Sequence, residues 1–272
     1  MTSGNKEVDK IKSQDLNKSK SPFISMITDE KKRKLESEVI YDTDTQIKQT
    51  QNRIWKALKR RYQYDSNLGT GQNFLKSHVN SKIPLVILYV DMVGSTNLSM
   101  TIPVDKFVTI IRAFTYEMSL AVYGYGGFVL KYVGDAVIAF FPSLSNKYVV
   151  CDRAVRCGIS MLTIIKNGLN PILNQYDYPD LSAKIGIDEG ENIIVQYGND
   201  ENLSPDILSY CMSVSAKMTS LTKSNNITIG EDVYVRLHPE LRQKFVRVNY
   251  SAKEWNYVSK RTGEPYKLYT LK

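Results

Sequence analysis

The chain predicts an α/β (α+β) sandwich, and three observations carry that expectation. Residues 83–91, IPLVILYVD, form a nearly continuous β-branched apolar run, which reads as a strand buried on both faces. Residues 104–127, VDKFVTIIRAFTYEMSLAVYGYGG, repeat apolar residues at helical spacing and end on glycines, a helix with a C-cap signal. Residues 127–141, GFVLKYVGDAVIAFF, are two short apolar runs broken by Gly134-Asp135, the pattern of a hairpin.

The other elements follow in order. KYVVCDRAVRCGISMLTIIKNG (147–168) reads as a second long helix, and SAKIGIDEGENIIVQYG (182–198) as a second hairpin turned at EGEN. DILSYCMSVSAKMTSLTKS (206–224) reads as a third helix, followed by the strand NITIG. KFVRVNY and PYKLYTLK supply two further strands near the end. The order β, α, ββ, α, ββ, α, β with a final pair is that of a ferredoxin-like βαββαβ sandwich with added hairpins.

Ahead of this domain the composition changes. Residues 1–28 are rich in Lys, Ser, Asn and Asp and read as a disordered basic tail. Residues 29–80 read as a helical extension and linker, leaving 81–272 as the main domain. Within the extension, TQIKQTQNRIWKALKRRYQY places Ile47, Ile54, Leu58 and Tyr62 near one face. This suits an amphipathic helix packing on the domain or on a dimer mate. KALKRRY leaves a membrane-surface or nucleic-acid role open. DSNLGTGQN (65–73) has the composition of a linker.

Charge and cysteine usage narrow the function classes. The net charge is +8, but residues 1–80 carry 16 Lys+Arg against 10 Asp+Glu, and residues 81–272 only 20 against 18. The basic excess belongs to the extension, so no nucleic-acid partner is expected of the domain, and membrane contact only through the basic N-terminal segment. The longest apolar stretch, PLVILYV, is far short of the roughly 20 residues that span a bilayer. The N-terminus lacks a hydrophobic signal-peptide core. Cys151, Cys157 and Cys211 have no paired CxxC spacing, so a disulfide framework or zinc site is not expected, and a cytoplasmic location fits.

Two acids stand out. Asp91 closes the first buried strand and is followed by Gly94, Ser95 and Thr96 after Met92 and Val93, which suits close approach of backbone to a phosphate. Asp135 sits at the hairpin turn, and the strand after the first helix is expected to pair beside strand one, so the two carboxylates would converge. Such a pair calls for a cation, and Mg²⁺ or Mn²⁺ held with substrate phosphates is the natural choice. Taken singly, Asp91 also reads as a strand-to-helix cap and Asp135 as an ordinary Gly-Asp turn.

YVDMVGST and LKYVGDAVIAFF resemble the two metal-binding signatures of class III nucleotidyl cyclases, the adenylate and guanylate cyclase family. KIGIDEGEN is similar to that family's R-x-G-I-x-x-G segment, and KRTGEPYKLYTL to its closing Lys-Gly…Pro…Tyr segment. The resemblance extends over roughly residues 84–272, with four segments in the right order. It implies that Asp91 and Asp135 bind two ions per site, Mg²⁺ or Mn²⁺, assisted by the backbone of Met92 and Val93. It implies that Lys131 and Asp206 read the base, a Lys–Asp pair resembling the adenylate choice, and that Lys260 holds the triphosphate. Adenine offers acceptor ring nitrogens to Lys and an amine donor to Asp. Read without the resemblance, Lys131 is a snorkelling strand residue and Asp206 a helix N-cap.

The resemblance also implies a homodimer, because in this family the metal acids and the base-reading residues of one site come from opposite subunits. Three positions depart from the pattern. Ser213 stands for the family's ribose-orienting Asn, Lys217 for its transition-state Arg, and Ser209 for a glycine. Lys keeps the charge but loses the planar fork. Three readings stand: a cyclase making 3′,5′-cyclic AMP from ATP, a cyclase for GTP or a pyrimidine nucleotide, and a degenerate domain that binds nucleotide or a partner.

Overall fold

A computed structural model describes residues 42–59, 64, 69–144, 146–198 and 203–272. The basic tail expected at 1–28 lies outside the described residues, as does part of the 29–80 extension. The described elements are α1 (Thr43–Leu58), α2 (Gly69–Lys76), β1 (Lys82–Met92), α3 (Ser95–Thr101), α4 (Val104–Gly124), β2 (Phe128–Val133), β3 (Ala136–Pro142) and α5 (Lys147–Ile164). A π turn (Ile165–Leu169) leads into α6 (Asn170–Asn174), followed by β4 (Ala183–Val195), β5 (Asp206–Leu208), α7 (Tyr210–Leu221) and β6 (Asn226–Gly230). The chain continues through α8 (Glu231–Tyr234), α9 (Pro239–Arg242), β7 (Phe245–Val248) and β8 (Leu268–Leu271).

One sheet runs in the order β2-β3-β1-β4-β6-β8-β7, with β5 paired to the far end of β4. Its first four strands, with α4 and α5, are the expected ferredoxin-like core: β1 pairs antiparallel with both β3 and β4. The side chains of β1 explain its central place. Leu85, Val86, Ile87, Leu88 and Val90 are all fully buried, as an uninterrupted apolar run requires. Val86, Leu88, Val90 and Met92 join the core under α4 and α5. The alternate residues, including Tyr89 and Asp91, therefore face the other side, where Tyr89 meets Met212 of α7. Cys151, Cys157 and Cys211 are buried free thiols, and among the described residues no helix is long and apolar enough to cross a membrane.

Three elements differ from the sequence reading. The hairpin expected at 182–198 is one strand, β4, which pairs with β1 from Lys82↔Ile193 to Met92↔Ala183. EGEN has turn composition, yet its two buried polar side chains find partners: Glu189 is ion-paired with Lys147 and Arg236, each at 3.3 Å. Asn192 is fully buried and donates to the Gly190 carbonyl at 2.6 Å. The missing Cβ of Gly190 leaves room for Cys211, which a methyl would approach to 3.2 Å. The helix expected from Asp206 begins at Tyr210, because residues 206–208 pair with β4 instead. Part of the expected linker is helical in α2, whose Phe74 stacks on Phe128 at 5.7 Å and whose Gly71 lies close against the Val129 carbonyl. Tertiary packing overrode local composition in each case.

α1 packs on its own domain through buried Ile54 and Leu58. Its Thr50 sits against Gly168 in the π turn, and a methyl on that glycine would approach Thr50 to 3.0 Å. Glu117 of α4 is fully buried and is reached by both Arg53 and Thr50 of α1.

Candidate functional site

The end of β1 and the β2–β3 turn bring the two acids together. β3, not β2, is the neighbour of β1, with Val90 opposite Val137. This corrects the expectation that the strand directly after the helix lies beside β1; the turn residue Asp135 reaches Asp91 because β3 starts there. Gly134 makes the turn at a φ of +61°, a conformation costly for any side chain with a Cβ. Burial and the Asp135 charge push the Asp91 carboxyl above its usual range, while Lys184, directly opposite on β4, pulls it down. Asp135 Oδ2 is buried and accepts no hydrogen bond.

An unpaired buried carboxylate oxygen beside a second acid is a place a divalent cation fits. Among the described residues no cluster of three or more His, Cys, Asp or Glu could hold a metal. The donor set is thus two carboxylates, which leaves positions for backbone, water and phosphate oxygens, as Mg²⁺ prefers. Met92 is buried at the end of β1, and the Val93 amide is committed to the Ser182 carbonyl at 2.8 Å. Gly94 follows at a φ of +76° with no heavy atom within 4 Å of where a Cβ would stand. Ser95 and Thr96 open α3, whose first-turn amides have no intrahelical partner.

Lys131 and Asp206 meet directly, Nζ to Oδ2 at 2.5 Å, from elements 75 residues apart. A register shift between Val129 and Lys131 makes this possible. Val129 packs in the core under α4, and Tyr132 bonds Ser119 of α4. In an unbroken strand Lys131 would share the face of Val129; the bulge turns it to the α7 side. Lys131 lies opposite Ile138, and Ile138 opposite Tyr89, so the three form one rung on that face. Asp206 Oδ1 accepts the Ile207 amide at 2.8 Å. The helix N-cap is Ser209, whose Oγ accepts from the Met212 amide and donates to Asn192.

Tyr210, Ser213 and Lys217 stand at i, i+3 and i+7, on one stripe of α7. Ser213 and Lys217 are exposed, and the Ser213 hydroxyl donates back to the Ser209 carbonyl at 3.3 Å. Lys260, in the turn between Val258 and Pro265, holds its ammonium 4.9 Å from the Tyr210 ring centre. The structure thus gathers three groups: Asp91 with Asp135, Lys131 with Asp206, and Ser213, Lys217 and Lys260 about α7. Among the described residues no hydrogen bond or ion pair joins one group to another.

Two residues were missed in the sequence. Tyr89 lies two positions before Asp91, and the strand period alone puts them on one face. Its phenol donates to Met212 Sδ at 3.1 Å, and burial with the nearby Asp206 charge pushes it up to about 12. Asp188, buried in β4, accepts from the Tyr266 hydroxyl at 2.7 Å, and burial raises its carboxyl well above the usual range. An acid inside IGIDEG was its one visible sign.

The sequence description of the adenylate and guanylate cyclase catalytic domain matches residues 78–271. A cytidylate cyclase of Escherichia coli is 24% identical over 186 residues, covering 64% of this chain and 40% of that protein. An adenylate cyclase of Anabaena cylindrica is 23% identical over 158 residues, 55% of this chain and 30% of its own length. The matches thus span less than half the length of these two relatives. The crystal structure of the adenylyl cyclase CyaB from P. aeruginosa superposes with a TM-score of 0.60 at 21% identity, covering 71% of this chain and 95% of that one. At that identity the likeness is one of fold.

Proposed function

The chain belongs to the adenylate and guanylate cyclase catalytic domain family, and on that premise we propose that it converts ATP to 3′,5′-cyclic AMP and pyrophosphate. The observation that carries the base assignment is the Lys131–Asp206 pair. An ammonium offers only donors and a carboxylate only acceptors. Together they match an edge on which a ring nitrogen lies beside an exocyclic amine. On its pairing edge adenine has that arrangement, whereas guanine and uracil carry a carbonyl at the corresponding carbon.

Asp91 and Asp135, with the Met92 backbone, would hold Mg²⁺ or Mn²⁺, two ions per site. Such ions when bound lower the pKa of the 3′-hydroxyl and stabilise charge on the phosphates. The chain's own side chains do the rest in this reading. Ser213 donates to the ribose, and the open backbone from Gly94 to Thr96 lies along the phosphates, the Val93 amide being held by Ser182. Lys260 grips the triphosphate. Lys217 balances the charge that grows as the 3′-oxygen bonds to the α-phosphorus and the bond to pyrophosphate breaks. Its single ammonium lacks the two-pronged grip of an arginine, so a modest turnover is expected.

Separate acid and α7 groups support a homodimer in which each site draws one group from each chain. Mixing Asp91→Ala with Lys131→Ala protein then restores part of the activity, because one of the two sites in a mixed dimer is intact. No recovery in confirmed mixed dimers would sink the shared site.

A second reading has specific support: cytosine presents the same acceptor-beside-amine edge, and a relative is named a cytidylate cyclase. Purified protein with Mn²⁺ and each of ATP, GTP, CTP and UTP, with products resolved by mass spectrometry, separates the two. Cyclic AMP as the main product is expected. Cyclic CMP would move the assignment to cytosine, and cyclic GMP or UMP would overturn the role of Lys131 and Asp206. No cyclic product from any would leave a binding domain.

A further inference from the structure

Lys260 is exposed at the tip of a turn, and among the described residues no carboxylate pairs with it. Among the described residues it lies over the face of Tyr210, 4.9 Å from Nζ to ring centre. We propose that Tyr210 is a positioning residue that seats the Lys260 ammonium and ties down its loop, so that the lysine meets the polyphosphate chain already in place. The inference rests on the reading of Lys260 as a triphosphate-binding group.

Tyr210 acts on the loop in two ways. Its ring attracts the ammonium through the negative face of the π system. Its hydroxyl donates to the Val258 carbonyl at 2.7 Å, two residues before Lys260 in the same loop. Burial pushes the Tyr210 phenol up, which keeps it a donor at neutral pH. The loop itself is tight: the Ser259 amide donates to the Glu264 carbonyl at 2.8 Å, and Gly263 turns at a φ of +74°. Its backbone is short-tethered, but the lysine side chain is long, and the ring restricts where its ammonium goes.

The seat has its own foundation. Tyr210 packs edge-on against Tyr257 at 5.5 Å and Tyr266 at 6.4 Å. Tyr266 is 3% exposed, accepts the Trp255 indole at its carbonyl, and donates its hydroxyl to Asp188 in β4. Gly230 keeps this junction free of a Cβ, which would otherwise lie 2.1 Å from Asp188 Oδ1. A line of packed groups thus runs from the central sheet through Tyr266 and Tyr210 to Lys260. Because Tyr210 also opens the stripe that bears Ser213 and Lys217, the seat places the three groups on one side of α7. A position at the start of a helix asks only for a residue that tolerates the first turn, so a tyrosine whose ring and hydroxyl are both in use needs this further explanation.

A double-mutant cycle tests the seat. Binding of tripolyphosphate to the full chain with Mn²⁺ is measured by calorimetry for Tyr210→Leu, Lys260→Ala and the double variant, with kcat and KM for ATP alongside. Tyr210→Leu is expected to weaken tripolyphosphate about five- to thirtyfold, chiefly as a rise in KM. In the Lys260→Ala background the same change should cost less than about twofold, because nothing remains to be seated. Tyr210→Phe keeps the ring and drops the tether to Val258; it gives the same cycle with a loss of about two- to tenfold and serves if the leucine variant does not fold. Losses that multiply in the double variants would assign Tyr210 a structural role only and overturn the seat. Unchanged tripolyphosphate binding in Lys260→Ala alone would instead overturn the reading of Lys260, and the seat with it.

Discussion

Replacing Asp135 by Asn is expected to lower cyclic nucleotide formation by about a thousandfold or more, with the fold intact. The substitution keeps the shape of the side chain and removes its charge. Oδ2 accepts no hydrogen bond in the protein, so the fold loses no partner. The Asp91 carboxyl also loses a repelling neighbour, since the Asp135 charge helps to push it up. Thermal stability without metal should therefore hold or rise slightly. What is lost is one of the two carboxylates available to a divalent cation, and stabilisation of transition-state charge by such an ion amounts to several kcal/mol, with each 1.4 kcal/mol worth about tenfold in rate. Turnover by mass spectrometry and a melting curve decide it together. A variant that melts normally and loses less than about tenfold would remove Asp135 from the chemistry.

The largest effect on stability is expected at the other side of the sheet. Arg53→Ala should destabilise the protein by about 3–5 kcal/mol. Arg53 reaches Glu117 with two hydrogen bonds, at 2.7 and 2.6 Å, and the Glu117 side chain is fully buried while that of Arg53 is 16% exposed. Removing the arginine strands a carboxylate in the core with Thr50 as its one remaining side-chain donor among the described residues. In a domain of this size a loss of that order lowers the melting temperature by roughly 6–20 °C. Replacing both partners, as Arg53→Met with Glu117→Gln, should recover most of it, because no uncompensated charge remains. A drop below about 1 kcal/mol in chemical denaturation of Arg53→Ala would show that α1 is not bound through this pair.

This pair also decides what α1 is for in the single chain. The apolar stripe on KQTQNRIWKAL left open whether the helix meets its own domain or a dimer mate. The buried contacts of Ile54 and Leu58 and the Arg53–Glu117 bonds tie it to its own α4. Glu117 gave no sign of this, since a glutamate within FTYEMSL reads as an exposed position on an otherwise apolar helix until a basic residue 64 positions earlier is folded against it.

The candidate site was legible to different depths. Asp91 and Asp135 were legible because each terminates or turns a strand, and such positions are set by nearest neighbours. Lys131 was visible as a charge inside an apolar run, but its direction was not. The bulge between Val129 and Lys131 depends on how β2 registers against β3, which no local pattern specifies. Asp206 was read as a helix start, since Asp before an apolar helix is a common cap. β4 offered those residues an open edge instead, and Ser209 took the cap.

By itself the sequence determined the order of strands and helices from residue 83 to 164, the buried centre of the sheet at residues 83–91, and the acids at the end of that strand and at the next hairpin turn. These follow from residue periods of two and 3.6, which act over a few neighbours. The tertiary structure alone decided that EGEN stays inside a strand, that Lys131 faces Asp206, and that Tyr210 lies under Lys260. Each of these depends on contacts between segments far apart in the chain, where the partner's free hydrogen bonds and the space left by a missing Cβ outweigh local preference.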